Sequence, residues 1–202
     1  MSDKLNIAIL ILAAGESKRM GTPKQLLKWK NTTLLGHTIQ VSETLNLKTF
    51  VVLGANFEEI KNSISSRSIQ ILNHENWKNG LGSSIAFGVD YIFKNELDIE
   101  AILIVLADQP LINSEYLNSM ISVFEKGKNQ IIASSYKDGK KGVPVLFDKI
   151  YFKELAQLSN DKGAKRLIEK YTDKVVLLNA ESMVSDIDTL EDYNGLYQAN
   201  HQ

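Results

Sequence analysis

The sequence predicts an α/β protein with a Rossmann-like, three-layer α/β/α fold, in which a mostly parallel sheet carries a small antiparallel part. Short apolar runs alternate along the chain with segments of helical periodicity, as in proteins built from βα units. The runs are continuously apolar and rich in β-branched residues, which is typical of strands buried on both faces of a parallel sheet. The 202 residues suit a single domain, which we expect to span positions 1–202.

The individual elements follow from these patterns. The Asp138-Gly139 pair favours a tight turn, so the next strand is expected to pair in the antiparallel sense. Ser114 and Thr189 are the expected N-caps of the helices that follow them. The expected strands are Ile7–Leu12, Phe50–Leu53, Ile69–Leu72, Ala101–Leu106, Gln130–Ser134, Val143–Phe147 and Val175–Leu178. The expected helices are Thr33–Leu45, Phe57–Ile64, Ile85–Phe93, Ser114–Phe124, Lys149–Leu158, Ala164–Lys170 and a last one after Thr189.

The composition excludes several classes of function. Hydrophobic residues make up 44% and charged residues 23% of the chain, as in soluble globular proteins. The net charge of -1 provides no field that would attract nucleic acid or an anionic membrane. The absence of cysteine excludes disulfides and thiolate metal sites. The first residues do not resemble a signal peptide and no apolar run is long enough to span a bilayer, so we expect a cytoplasmic protein.

A glycine-containing loop with two cations follows the first predicted strand. Glycine allows backbone N–H groups to approach an anion closely, and Gly15 lies at the start of this loop. Arg19 offers a planar fork of donors for phosphate oxygens, and Lys24 a mobile point charge. The loop is therefore a candidate triphosphate site, although an ordinary βα loop with solvent-facing cations has the same pattern. It contains neither a Walker motif nor a dinucleotide fingerprint.

Asp108 is the first candidate metal ligand. It follows the strongly apolar run Ala101–Leu106, and ligands of open α/β sheets bind at the carboxyl ends of the strands. Magnesium takes one or two carboxylates together with phosphate oxygens, so a carboxylate near a triphosphate suits it. The alternative is a turn aspartate that bonds its own backbone before Pro110. A second acidic segment contains Asp186 and Asp188, which alternation places on one face of an extended chain.

A second glycine-containing loop precedes the third expected helix. Its glycines and serines can offer amides and hydroxyls to an anion or to the edge of a base. A helix that is capped after a flexible loop would show the same pattern. The residues concerned are Gly80, Gly82, Ser83 and Ser84.

The first loop also carries a resemblance to a known family. The pattern Leu12-Ala-Ala-Gly-x-Ser-x-Arg-Met-Gly-x-x-Lys24 resembles the signature loop of the MobA/MocA-like nucleotidyltransferases, whose fold is of the nucleotide-diphospho-sugar transferase type. The Ala-Ala-Gly form and the later Gly-Leu-Gly-Ser-Ser segment resemble the molybdenum cofactor cytidylyltransferase branch. Asp108-Gln-Pro resembles the family's metal motif, and the Asp186–Asp192 segment resembles its late acidic motif, which favours Asp188 as the second metal ligand.

The resemblance assigns roles to individual residues. Arg19, Lys24 and Asp108 are implied to be catalytic, and Asp108 and Asp188 to bind Mg2+. The implied nucleotide-binding residues are Leu12, Ala13, Ala14, Gly15, Arg19, Lys24, Gly80, Gly82, Ser83 and Ser84. The implied acceptor-binding residues are Gly142, Pro144, Lys162 and Lys165. Val143 departs from the family, because many relatives have a histidine or asparagine there, and a valine side chain cannot form a hydrogen bond.

The function implied by the resemblance is magnesium-dependent transfer of CMP from CTP to the phosphate of the molybdenum cofactor, molybdopterin. Pyrophosphate would leave, and the product would be the molybdopterin cytosine dinucleotide cofactor. The implied partners are CTP, a molybdopterin-type cofactor and a molybdenum hydroxylase apo-enzyme, and the expected state is a monomer or weak oligomer. The alternatives are transfer to a sugar 1-phosphate, guanylyl transfer to molybdopterin, a non-catalytic nucleotide-binding or cofactor-binding maturation chaperone, and a dinucleotide-dependent redox protein.

Overall fold

A computed structural model describes residues 5–64, 68–159, 163–180, 183 and 185–201. Within these ranges the strands are β1 (Ile7–Ala13), β2 (Lys28–Trp29), β3 (Thr32–Thr33), β4 (Lys48–Leu53), β5 (Ile69–Asn73), β6 (Ala101–Leu106), β7 (Ile131–Ser135), β8 (Lys141–Asp148) and β9 (Val175–Asn179). The helices are α1 (Leu34–Glu43), α2 (Phe57–Ser63), α3 (Leu81–Asn95), α4 (Ser114–Ser122), α5 (Phe152–Leu155), α6 (Lys165–Lys170) and α7 (Leu190–Asn200).

The main sheet has seven strands in the order β5-β4-β1-β6-β8-β7-β9. Strand β8 runs antiparallel to both of its neighbours, β6 and β7, whereas the other pairs in the sheet are parallel. The predicted mixed sheet is therefore confirmed, including the antiparallel strand after the Asp-Gly turn. Strands β1 and β6 lie at the centre, which explains why every residue of β1 is buried.

Alternation along β1 separates two hydrophobic cores and so produces three layers. Leu10 and Leu12 pack into one core, together with buried residues of α3, α5 and α6. Ile9 and Ile11 pack into the other, with buried residues of α1, α2 and α4. Because successive side chains of a strand point to opposite faces, a continuously apolar strand requires helices on both sides. The three-layer α/β/α prediction is confirmed.

A third, smaller core joins elements that are remote in sequence. Met20 of the first loop, Trp29 of β2 and Ile187 of the late acidic segment are all buried in it. Helix α7 covers this core with partly buried side chains that include Leu196 and Tyr197. The hairpin formed by β2 and β3 was not predicted, because each strand has only two residues and their apolar pattern is too short to detect.

The structure corrects the expected starts of two helices. Helix α3 begins at Leu81 and not at Ile85, because Gly82 and the serines after it occupy its first turn, where residues of low helix propensity are tolerated. Helix α4 is capped by Asn113, whose side-chain oxygen accepts a hydrogen bond from the backbone N–H of Tyr116. The predicted cap, Ser114, is the first residue inside that helix.

One predicted cap is confirmed and one predicted helix is shorter than expected. Thr189 caps α7 in a capping box with Asp192, so each side chain accepts from the backbone of the other. The helix expected at Lys149–Leu158 is instead a 3-10 turn, Lys149–Tyr151, followed by the single turn of α5. The side chain of Asp148 accepts from the N–H of Ile150 at the start of the 3-10 turn, as Thr189 does for α7, and so supplies a partner for a backbone group that the helix itself leaves unpaired.

Candidate active site

A cavity of about 400 Å3 opens at the carboxyl ends of β1 and β6. These strands pair in parallel with Leu12 opposite Leu106, and the N–H of Ala107 donates to the carbonyl of Leu12 at 3.2 Å. The loops that follow the two strands therefore emerge side by side, as the sheet rule predicts. The predicted site residues that line the cavity are Leu12, Ala13, Ala14, Gly15, Lys24, Gly80, Ser84 and Asp108.

An internal glutamine holds the first loop in shape. Gln25 is 2% exposed, and its side-chain amide donates to the carbonyl oxygens of Ala13 and Gly15, both at 2.9 Å. The hydroxyl of Ser17 accepts from the backbone N–H of Lys24 at 3.0 Å. Sequence reasoning missed Gln25, because a glutamine in a polar loop has no distinguishing pattern. A loop braced from within keeps its backbone groups available to a ligand.

The two predicted metal ligands lie close together, joined by one ammonium group. Lys24 Nζ contacts Asp108 Oδ2 and lies 3.1 Å from the carbonyl oxygen of Ile187 and 3.8 Å from Asp188 Oδ1. Arg19 Nη2 lies 3.0 Å from the same Asp188 oxygen. The backbone N–H of Ile187 donates to the carbonyl of Asp108 at 3.1 Å, which fixes the two acidic segments to each other.

The two carboxylate oxygens of Asp108 lie in different surroundings. The Oδ1 atom is buried and has no hydrogen-bond partner among the residues that the structure describes. Such an orphaned acceptor is costly unless a ligand or ion satisfies it. The described residues contain no group of three or more His, Asp or Glu side chains suited to a metal ion. The two carboxylates of Asp108 and Asp188 are nevertheless a donor set that would suit a hard divalent cation whose shell is completed by phosphate oxygens.

A third aspartate, Asp186, lies near Asp108 and Asp188. Gln109 donates from its side-chain amide to Asp186 Oδ1 at 2.8 Å. Burial raises the pKa of Asp186, and the nearby carboxylates of Asp108 and Asp188 raise it further against the opposing effects of Gln109 and Lys24. Asp186 thus bonds to a neutral amide, whereas Asp188 contacts the cations Arg19 and Lys24.

The second loop contributes to the cavity only in part. Gly80 and Ser84 line it, whereas Gly82 is buried within the first turn of α3. Ser83 is turned towards His74, and its hydroxyl lies 2.9 Å from His74 Nε2. Sequence reasoning also missed Trp77 as a wall of the cavity. A Cβ added at Gly54 would lie 2.5 Å from Trp77 Cβ, so the glycine makes room for that side chain.

Three of the cations near the cavity differ in their placement. Lys24 is largely buried and lines the cavity, whereas Lys18 lines it with a side chain that is 80% exposed and pairs with Glu16 at 3.4 Å. Arg19 is not among the residues that line the cavity, and its contact with the site in the described part of the chain is the ion pair with Asp188. Lys18 and Lys78 are lining residues that sequence reasoning missed, because solvent-facing lysines in loops are common.

Three of the four predicted acceptor residues, Gly142, Pro144 and Lys165, do not line the cavity. The carbonyl of Pro144 accepts from Ser134 Oγ at 2.7 Å, and a Cβ added at Gly142 would lie 2.7 Å from a tyrosine hydroxyl. Lys165 is exposed and pairs with Glu169 on its own helix at 3.7 Å. The remaining acceptor residue, Lys162, lies outside the described residues.

Comparison with known proteins identifies the class. Residues 9–175 match the family model described as the MobA-like NTP transferase domain. The match covers most of the chain, so the protein belongs to the MobA-like NTP transferase family and is a nucleotidyltransferase by class. The predicted membership in a MobA/MocA-like family is thereby confirmed. In the described part of the chain, no helix is long and apolar enough to cross a membrane.

Several particular proteins resemble the chain over most of its length. Rv0371c from Mycobacterium tuberculosis H37Rv is 30% identical, with a TM-score of 0.83 over 96% of this chain and 98% of that chain. A structure of Rv0371c in complex with manganese is 28% identical, with a TM-score of 0.79 over 96% and 99% of the two chains. Nicotine blue oxidoreductase of Paenarthrobacter nicotinovorans is 28% identical over 195 residues, which are 90% of this chain and 92% of that protein.

A partial match extends to a longer protein. The bifunctional protein GlmU of Legionella pneumophila is 32% identical over 125 residues, which are 60% of this chain and 26% of GlmU. The chain thus matches only about a quarter of the length of that relative.

Proposed function

We propose that this chain transfers CMP from CTP to the phosphate of a molybdopterin-type cofactor, in a Mg2+-dependent reaction that releases pyrophosphate. The observation that carries the proposal is the buried Oδ1 of Asp108, which has no hydrogen-bond partner in the described part of the chain and belongs to a residue that lines a cavity with Lys24 and Gly15. Asp188 does not line that cavity, but its Oδ1 lies 3.8 Å from the Lys24 ammonium that contacts Asp108. Two carboxylates and a cation at one edge of a cavity suit a triphosphate with its metal ion. The choice of CTP and of the acceptor rests on the sequence resemblance.

The chain's own residues would act mainly by managing charge and position. The oxygen of the acceptor phosphate attacks the α-phosphorus of CTP, and the bond from that phosphorus to the pyrophosphate oxygen breaks. Lys24 and Arg19 would neutralise the charge that builds up on the phosphates. The braced first loop would hold the triphosphate in line with the acceptor, which lowers the entropic part of the barrier. No covalent bond to the enzyme is needed.

Asp108 and Asp188 would hold the divalent cation. When bound, that cation would supply positive charge to the phosphate oxygens and so reduce repulsion of the anionic acceptor. The manganese complex of Rv0371c supports a divalent cation in a similar protein. Magnesium is the ion that we propose for this chain, because it prefers one or two carboxylates plus substrate phosphates.

The decisive experiment is anaerobic incubation of the protein with molybdenum cofactor, Mg2+ and each of CTP, GTP, UTP and ATP in turn. We expect pyrophosphate and a product with the mass of the cytosine dinucleotide when the nucleotide is CTP, and neither product with the other three nucleotides. Asp108→Asn should lower the rate at least about 100-fold, since it removes charge from the transition-state environment. If the dinucleotide forms from GTP, CTP is the wrong nucleotide. If CTP reacts with a sugar 1-phosphate in the same assay and not with molybdenum cofactor, the proposed acceptor is wrong.

A second candidate comes from the similarity to nicotine blue oxidoreductase over 90% of the chain. It would be an oxidoreductase that uses the cavity for a redox dinucleotide. The test follows the oxidation of NADH or NADPH at 340 nm, without CTP and with nicotine blue as the oxidant that accepts the hydride, and a protein-dependent loss of absorbance would favour this candidate. A maturation chaperone would instead bind CTP and cofactor without forming pyrophosphate.

A further inference from the structure

The ammonium group of Lys24 is surrounded by oxygen atoms of the kind that bind metal ions. It contacts Asp108 Oδ2, and the Ile187 carbonyl and Asp188 Oδ1 lie 3.1 and 3.8 Å away. The Lys24 side chain is only 19% exposed, and that of Asp108 only 16%. This ammonium therefore interacts with both carboxylates that we assign to the divalent cation.

We propose that Lys24 acts as an internal cation, which neutralises the two aspartates until a metal ion replaces it and the freed ammonium moves to the triphosphate. Metal and nucleotide would then each favour the binding of the other. This inference rests on the proposed function, because it takes Asp108 and Asp188 as the metal ligands. It adds that one lysine serves the metal site and the phosphate site in turn.

Electrostatics favours such an exchange. Two carboxylates that share a site repel each other, so in the absence of a metal ion a nearby cation stabilises them. An ammonium and a divalent cation on the same oxygens would repel each other, so the arrival of the metal ion displaces Lys24. Lysine suits this role because it is a point charge on a flexible four-carbon stem.

The backbone of Lys24 stays fixed while its side chain can move. Its N–H donates to Ser17 Oγ at 3.0 Å, and its carbonyl accepts from the N–H of Leu27 at 3.1 Å. The side chain lines the same cavity as Gly15, which would hold the triphosphate. A displaced ammonium therefore finds its new anionic partner without any rearrangement of the loop.

The two aspartates depend on Lys24 to different degrees. Asp188 also contacts Arg19 at 3.0 Å, whereas Lys24 is the cation that contacts Asp108 within the described residues. Removal of Lys24 should therefore leave Asp108 with unpaired charge and free to bind a metal ion. This asymmetry predicts an unusual result, since loss of a site residue should strengthen metal binding.

The test measures Mn2+ binding by electron paramagnetic resonance, without nucleotide, in wild type and in Lys24→Met and Lys24→Gln variants. Coupling between two sites is reciprocal and typically amounts to 5–150-fold. We expect both variants to bind Mn2+ alone about tenfold more tightly than wild type, and metal-free CTP about tenfold more weakly. Lys24→Gln retains a donor for the Ile187 carbonyl, and so separates loss of charge from loss of folding.

Lys18→Met is the matched control, because Lys18 lines the cavity with an exposed side chain that pairs with Glu16. It should leave Mn2+ affinity within twofold of wild type. Unchanged or weaker Mn2+ binding in folded Lys24→Gln would overturn the inference. Asp108→Asn separates this outcome from failure of the proposed function: if it leaves Mn2+ binding in the presence of α,β-methylene-CTP unchanged, the metal assignment itself is wrong.

Discussion

At the scale of single residues, Gln25 shows how the interior of a loop can matter as much as its exposed charges. Its side-chain amide donates hydrogen bonds to two carbonyl oxygens of the first loop, those of Ala13 and Gly15. A buried carbonyl that loses its partner costs about 1–3 kcal/mol. The cations of this loop drew attention in the sequence, yet the residue that shapes the loop is neutral and almost completely buried.

Gln25→Ala should therefore lower the free energy of unfolding by about 2 kcal/mol, because the carbonyl of buried Ala13 loses its donor, whereas that of exposed Gly15 can bond to water. The KM for the nucleotide should rise and kcat should fall, because the loop is proposed both to bind the triphosphate and to hold it in line with the acceptor. Urea denaturation and steady-state kinetics check the two effects. Gln40→Ala, on the exposed face of α1, is the control and should change neither quantity. Equal stability of the two variants would contradict the bracing role.

His37 predicts a dependence of stability on pH. Burial lowers its pKa from 6.5, with smaller contributions from Lys30 and His201 against a bond to the carbonyl of Pro110. That carbonyl lies 3.1 Å from Nε2, so the neutral ring donates from this nitrogen. The folded state binds this proton more weakly than the unfolded state. The contribution of neutral His37 to the free energy of unfolding should therefore be fully present above pH 6.5 and be lost as the pH drops below that value.

Thermal unfolding between pH 8 and pH 5 measures this effect. The melting temperature of wild type should fall below the ordinary histidine pKa, and His37→Gln should reduce the fall while keeping an amide donor for Pro110. The remaining fall is expected from His74, whose pKa burial also lowers. An unchanged pH profile in His37→Gln would exclude His37 as a source.

At the scale of elements, helix ends are decided by which side chain accepts the free backbone N–H groups. Asn113 and Ser114 are neighbours and both are good capping residues. The sequence pattern favoured Ser114, but the structure caps α4 with Asn113. Neighbouring candidates cannot be separated by propensity, because the choice depends on where the chain leaves the loop before the helix.

Alanine variants of Asn113 and Ser114 show which of the two residues caps α4. Asn113→Ala should lower the free energy of unfolding by about 1 kcal/mol, since the N–H of Tyr116 loses its partner. Ser114→Ala should be neutral or slightly stabilising, because alanine is the better helix former within the first turn. Urea denaturation of both proteins provides the measurement. A larger loss in Ser114→Ala would restore the cap that the sequence favoured.

Helix α7 is the element that connects the fold to the acidic segment. Tyr193 donates from its hydroxyl to the carbonyl of Lys28 at 2.8 Å, and Tyr197 stacks on His201 with ring centroids 4.0 Å apart. The core beneath the helix contains Ile187, the neighbour of Asp188. Packing of α7 thus determines where the late acidic segment meets the first loop.

At the scale of the whole molecule, the close approach of helix layers to the sheet depends on small residues. A Cβ added at Gly88 of α3 would lie 2.6 Å from Leu10 Cδ1 and 3.0 Å from Val52 Cγ2. The first contact is closer than packed carbon atoms allow and the second is tight, so either the buried Leu10 side chain or α3 would have to shift. Because the same helix begins at the cavity, its position affects the site as well as the core.

Gly88→Ala should therefore lower the free energy of unfolding by about 1–3 kcal/mol through overpacking. Gly195→Ala is the matched control, since this glycine also lies in a helix but has open space around it. That change should stabilise the protein by up to about 1 kcal/mol, because alanine is the better helix former. Calorimetric melting of both variants decides the comparison, and similar melting temperatures would show that α3 does not pack as described.

The amino-acid sequence was enough to predict the order of the long strands and most helices, and the chemical groups available to the site, but not the two-residue strands β2 and β3. Side-chain periodicity is local, so strands such as β1 and β6, the Asp-Gly turn and the glycine loop could be predicted from neighbouring residues. Contacts between residues that are far apart in the sequence cannot be predicted from local patterns. Asp108, Asp188 and Lys24 meet because of the strand order and the packing of α7. Only the tertiary structure placed an ammonium between two carboxylates and left one buried oxygen of Asp108 without a partner among the described residues, because both depend on what the fold brings into contact.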